Sequence, residues 1–128
     1  MREIWIVDDD EDMGRAIQLM LRLLDFSSRI FLGARPAAQR LLAGERPYLF
    51  ILDINMPEVS GIDLLEFLRR RKEFKDIPVV MLSTEAAEVL IDKALALGAD
   101  SYVTKPVALD ELEAAIKKAL RAHGILST

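Results

Sequence analysis

The sequence predicts an α/β fold: a doubly wound, five-stranded parallel sheet with helices on both faces. Three observations predict it. Five short apolar runs recur along the chain, each is followed by a segment of helical period, and turn-forming residues fall between them. The runs are mostly continuous and not alternating, as expected of strands covered on both faces. Strand and helix in strict alternation imply parallel strands joined by right-handed crossovers.

Each element has its own signal. Ile4–Val7 is the first strand, and acids follow it at once. Asp10, Glu11 and Asp12 suit the positive N-terminal end of the next helix. In that helix Met13, Ala16, Ile17, Met20, Leu21 and Leu24 form one apolar stripe. Arg29–Phe31 is the second strand, and Leu32-Gly33-Ala34 after it carries no reactive group. A shorter helix covers Pro36–Leu42, its proline tolerated in a first turn. Gly44–Pro47 breaks the chain before the third strand, Leu49–Leu52. The third helix runs from Ile62 to Arg71 and ends on Arg69-Arg70-Arg71-Lys72. Cations there suit the negative helix end, so a solvated terminus is expected and not a nucleic-acid contact.

Pro78 precedes the fourth strand, Val79–Leu82. Ser83 or Thr84 is expected to cap the fourth helix, whose stripe is Ala87, Leu90, Ile91, Ala94 and Leu95. Gly98 closes that helix ahead of the fifth strand, Ser101–Val103. Leu109, Leu112, Ile116, Ala119 and Leu120 mark the last helix. Residues 1–122 then form one domain, and His123–Thr128 is expected to be a frayed tail with His123 inert.

Composition narrows the function. A chain of 128 residues, 52% hydrophobic and 30% charged, is one soluble globular domain. Cysteine is absent, which excludes disulfides, thiolate metal sites and a cysteine nucleophile. A single histidine excludes a multi-histidine metal cage. The net charge of −4 makes the chain a poor sole binder of nucleic acid. No apolar run approaches the roughly 18 residues of a membrane span. The first apolar run is also too short for a signal-peptide core. A cytoplasmic protein is expected, with no membrane or direct nucleic-acid partner.

In open parallel sheets ligands bind beyond the carboxyl ends of the strands. Asp8 and Asp9 follow the first strand, Asp53 the third, Ser83 and Thr84 the fourth, and Thr104, Lys105 and Pro106 the fifth. If the first and third strands are neighbours, three carboxylates converge with a hydroxyl and an ammonium. Two carboxylates 4 Å apart repel by roughly 4 kcal/mol at an effective dielectric of 20. Lys105 supplies one balancing charge. A hard divalent ion, Mg²⁺, is the natural second, since no soft ligand is present to favour zinc or copper. Metal, ammonium and hydroxyl together suit a phosphoryl group, which a carboxylate can accept as an aspartyl phosphate.

Four motifs in order carry a resemblance: Val7-Asp8-Asp9; Asp53-x-x-Met56-Pro57-x-x-x-Gly61; Met81-Leu82-Ser83; and Tyr102-Val103-Thr104-Lys105-Pro106. Over about Ile4 to Leu120 the chain resembles the receiver domain of two-component response regulators, of the CheY-like kind. The resemblance implies a flavodoxin-like (βα)5 sheet of strand order 2-1-3-4-5. It implies Asp53 as phosphoacceptor, with Mg²⁺ held by Asp9, Asp53 and the backbone carbonyl of Asn55, and by Asp8 mostly through water. Lys105 would contact the phosphoryl oxygens, and Pro106 would follow a cis peptide bond. Ser83 would move onto the phosphoryl group and Tyr102 would swing inward, remodelling the face of the fourth helix, fifth strand and fifth helix. Thr84 stands where a small alanine is frequent and would crowd access to Asp53. Asn55 and Glu85 occupy positions at which the family tunes its own dephosphorylation.

The implied donor is a sensor histidine kinase, a histidine phosphotransfer protein or a small phosphodonor. The chain would be no enzyme toward an external substrate, catalysing only its own phosphorylation and dephosphorylation. Its length suits both a stand-alone regulator and the first piece of a longer one. Two other classes compete: a metal-dependent aspartyl phosphatase or phosphotransferase, and a receiver-like scaffold that works without phosphorylation. Asn55 stands where aspartyl phosphatases usually keep an acid, which disfavours the former. The full set of acids with Lys105 disfavours the latter.

Overall fold

Parity along the strands decides which side chain meets which helix layer, because successive side chains point to opposite faces. Residues 3–126 are described by the structure, a computed structural model. Five strands, β1 (Glu3–Val7), β2 (Ser27–Phe31), β3 (Leu49–Asp53), β4 (Val79–Ser83) and β5 (Ser101–Thr104), alternate with five helices. These are α1 (Glu11–Leu23), α2 (Ala34–Leu42), α3 (Gly61–Arg70), α4 (Glu88–Ala96) and α5 (Leu109–Ala122). All strands are parallel, in the order β2-β1-β3-β4-β5. The parallel α/β sheet is the one the sequence predicts, and its order and flavodoxin-like class are those the resemblance implies.

One face of the sheet presents Trp5, Val7, Phe50, Leu52, Val79 and Met81 to α2, α3 and α4. The other presents Ile4, Ile6, Leu49, Ile51, Val80 and Leu82 to α1 and α5. Both sets are buried, which is why these runs read as continuous and not alternating. Each such side chain contributes about 1.5–3 kcal/mol by leaving water. β2 departs from the pattern: it begins two residues earlier than expected and is only half-buried, because it lies at the sheet edge.

Helix ends explain the remaining boundaries. Asp10 caps α1 by accepting the Met13 N–H at 3.2 Å, and Glu11 and Asp12 fill the first turn, the acidic helix start that was expected. Ser60 and Asp63 form a reciprocal capping box at α3. The expected cap of α4 by Ser83 or Thr84 is not formed. The helix starts only at Glu88, after Ala87, and both hydroxyls are used elsewhere. Gly98, at φ +110°, closes α4 in the left-handed region that glycine reaches without strain.

Two further expectations are corrected. Arg69 is not a solvated helix-end cation. Its guanidinium donates to the carbonyls of Lys75, Ile77 and Gly98 and to Asp100 Oδ2 at 3.0 Å. Arg70 beside it is exposed, as expected. Nor is His123 inert: its Nε2 lies 2.9 Å from Asp100 Oδ2, which also accepts the Val79 N–H. The chain then turns at Gly124, and Ile125 N–H donates back to the Leu120 carbonyl. Leu126 packs on the α1/α5 core. The frayed tail is thus folded through residue 126, and Ser127 and Thr128 lie outside the described residues. Among the described residues no helix is long and apolar enough to cross a membrane.

Candidate phosphorylation site

Parallel pairing puts the ends of β1, β3, β4 and β5 side by side, so the residues that close these strands meet. Asp53 and Ser83 are themselves the last residues of β3 and β4, one residue beyond the expected strand ends. Asp8 follows β1 and its N–H donates to Phe31 O at 3.0 Å. Lys105 follows β5, its N–H donating to Ser83 O at 2.8 Å. Its bond to Pro106 is cis, as the resemblance implies.

Asp8 is 0% exposed and Asp53 2%, whereas Asp9 is exposed. One carboxylate oxygen from each lies within 4.8 Å of the others. Lys105 Nζ sits 3.3 Å from Asp8 Oδ2 and 3.3 Å from Asp53 Oδ1. Backbone donors complete the cradle: Asp10 N–H reaches Asp8 Oδ1 at 2.9 Å, and Asn55 N–H reaches Asp53 Oδ1 at 3.2 Å.

Two of the three acids, Asp8 and Asp53, thus share one half-buried ammonium. The consequence appears at Asp8. Burial pushes its carboxyl up to about 6 from 3.8, the Asp10 N–H opposes this, and the Asp53 charge adds to it, while Lys105 offsets part. At Lys105 burial works against the charged form, but the charges of Asp53 and then Asp8 outweigh it and hold the ammonium above its ordinary range. A surplus of hard oxygen donors of this kind fits Mg²⁺.

The residues expected to switch also have definite partners. Ser83 is buried and its Oγ accepts the Glu85 N–H at 3.0 Å. Tyr102 is half-buried and its hydroxyl donates to the Glu85 carbonyl at 3.0 Å. Thr84 Oγ1 accepts from Asn55 Nδ2 at 3.0 Å. Glu85 and Pro106 are exposed. Every residue the sequence offered for the site therefore lies at or beside the carboxyl end of the sheet. Reading the sequence missed the Asn55–Thr84 bridge. It also missed why Gly61 is required: a Cβ there would collide with the Asp53 carbonyl oxygen.

Comparison with known proteins agrees with this geometry. Residues 4–117 match the response regulator receiver domain family. The chain is 38% identical over 120 residues to the phosphate regulon transcriptional regulatory protein PhoB of Rhizobium meliloti (strain 1021), covering 93% of this chain and 52% of that one. It is 34% identical over 125 residues to the KDP operon transcriptional regulatory protein KdpE of Escherichia coli (strain K12), covering 96% and 53%. The chain spans about half the length of these relatives. Among solved structures, a CheY-like response regulator receiver domain protein from Methanospirillum hungatei JF-1 superposes with a TM-score of 0.82 at 26% identity, covering 96% of each chain. The chain belongs to the response regulator receiver domain family, the phosphate-receiving module of two-component signalling.

Proposed function

We propose that the protein is a phosphorylation-dependent switch whose phosphoacceptor is Asp53. The observation that carries this is the buried Asp53 carboxylate with Lys105 Nζ 3.3 Å away, beside Asp8 and Asp9. An Asp53 oxygen bonds to phosphorus, and the bond to the donor, a histidine nitrogen of a kinase or phosphotransfer protein, breaks. Lys105 neutralises the transferred group, which carries its charge on equatorial oxygens. Asp8, Asp9, Asp53 and the Asn55 carbonyl would hold Mg²⁺, which supplies further charge neutralisation at those oxygens.

Transfer turns into a conformational signal through Glu85. Its N–H holds Ser83 Oγ and its carbonyl holds the Tyr102 hydroxyl. When Ser83 Oγ turns to the phosphoryl group, it releases the Glu85 N–H. The loop that also holds Tyr102 then shifts, biasing the α4-β5-α5 face toward its second state. A cytoplasmic location and a downstream target, in another chain or a further domain, belong to the same reading. So does a domain boundary near residue 122.

The test is incubation with Mg²⁺ and a small phosphodonor, followed by intact mass. A single phosphoryl adduct, lost in hydroxylamine, supports the reading. Catalytic turnover of an external phosphoester would favour a phosphatase. No adduct and no Mg²⁺ binding would leave a scaffold.

A further inference from the structure

Three donors converge on a single oxygen at the end of the sheet opposite Asp53. Asp100 Oδ2 accepts the Val79 N–H at 2.8 Å, Arg69 Nη2 at 3.0 Å and, with the ring proton on Nε2, His123 at 2.9 Å. A carboxylate oxygen offers two lone pairs, so the three compete for it. They do not compete equally. Val79 opens β4 and is buried. Arg69 is fixed by the carbonyls of Lys75, Ile77 and Gly98 as well. His123 caps the C-terminal end of α5, so it can leave while the other two stay. What it holds is the segment behind it. The chain folds back at Gly124, and the N–H groups of Ile125 and Leu126 share the Leu120 carbonyl, at 2.9 and 3.3 Å. Leu126 is half-buried and lines an apolar groove of about 190 Å³ whose other walls include Leu24, Phe26, Tyr48, Ile116 and Leu120. A segment held by one shared acceptor and one half-buried leucine opens at low cost.

We propose that Gly124–Leu126 is a strap with two positions, locked over the groove between α1 and α5 by the His123–Asp100 hydrogen bond. In the locked position Leu126 covers part of the groove, and the chain leaving α5 is directed toward Tyr48. On release His123 swings out, and Leu126 follows because its remaining holds are weak. Arg69 and Val79 still satisfy Asp100, so the joint between α3, β4 and the start of β5 is kept. The strap therefore opens without unfolding the domain, and it exposes the apolar groove when it does. Nothing in this step involves Asp53, so the inference stands apart from the phosphoacceptor reading.

The experiment is amide hydrogen exchange, read by NMR on the unphosphorylated parent and on His123→Ala, His123→Gln and Leu126→Ala. In His123→Ala the Ile125 and Leu126 amides should exchange about tenfold faster or more, the factor carried by one hydrogen bond to a charged acceptor. The Val79 amide, which donates to the same Asp100 oxygen, should keep its protection. His123→Gln retains a donor and should restore most of the protection at both positions. Leu126→Ala leaves the His123–Asp100 hydrogen bond in place and should speed the same two amides by one common factor, since the strap moves as a unit. The apolar dye anilinonaphthalene sulfonate should bind more strongly to His123→Ala than to the parent. Unchanged exchange at Ile125 and Leu126 in His123→Ala overturns the proposal. So does exchange at Val79 that speeds up with them, which marks general loosening and not release of a strap. A His123→Gln variant that exchanges as fast as His123→Ala, separate responses of the two amides in Leu126→Ala, or dye binding equal to the parent's would overturn it as well.

Discussion

Replacing Asp8 by Asn should stabilise the metal-free protein, although Asp8 belongs to the proposed site. The Asp8 carboxyl is 0% exposed and its pKa is raised from 3.8 to about 6, first by burial, with Asp53 adding to it. A shift of roughly 2 units at about 1.4 kcal/mol each means that ionised Asp8 costs the fold about 3 kcal/mol. The sign follows from proton counting. Between pH 3.8 and about 6 the folded protein keeps a proton that the unfolded chain has lost, so stability falls as pH rises through that window and then levels off. The Asn side chain is neutral throughout and still accepts the Asp10 N–H, but it gives up the acceptor 3.3 Å from Lys105. That loss is about 1 kcal/mol. The net gain above pH 7 is therefore about 2 kcal/mol, and it vanishes near pH 4. Urea unfolding in EDTA, followed by fluorescence of the single tryptophan, the buried Trp5, measures it. Millimolar Mg²⁺ should restore the parent and leave the variant behind. A variant less stable than the parent at pH 7.5, or a difference that does not change with pH, refutes the reasoning.

Four other substitutions test other parts of the structure. Arg69→Ala strips Asp100 and three carbonyls of their partner and should cost about 3–5 kcal/mol in urea unfolding. Arg70→Ala, at an 80% exposed side chain, should cost under about 1 kcal/mol. Gly61→Ala forces a methyl onto the Asp53 carbonyl, so thermal melting should show a loss of at least about 1–3 kcal/mol, with slower phosphorylation. Ser60→Ala removes one half of the α3 capping box and should cost about 1 kcal/mol without altering Mg²⁺ affinity.

The sequence carried the fold because each strand is buried on both faces and each helix on one, and these demands leave different periods. Ile4–Val7 and Val79–Leu82 could hardly be read otherwise. The site was legible for a related reason. Parallel strands end at one edge, so Asp8, Asp53, Ser83 and Lys105 had to converge once the strand order was known. What escaped reading depends on side-chain reach across distant loops. Nothing in Arg69-Arg70-Arg71-Lys72 says which cation turns inward. That choice is made by Asp100 and the carbonyls of Lys75, Ile77 and Gly98, which the fold brings to Arg69. His123 looked idle because its partner lies 23 residues away, in the connection between α4 and β5. The α4 boundary was misjudged because the hydroxyls at Ser83 and Thr84 had competing partners.

Borohydride trapping tests the central claim most directly. The protein is phosphorylated with Mg²⁺ and a small donor, reduced with tritiated borohydride, and digested for peptide sequencing. Reduction converts an aspartyl phosphate to homoserine, so label at position 53, absent from Asp53→Asn and from samples held in EDTA, is the predicted result. Label at another carboxylate, or equal label in Asp53→Asn, would contradict the account.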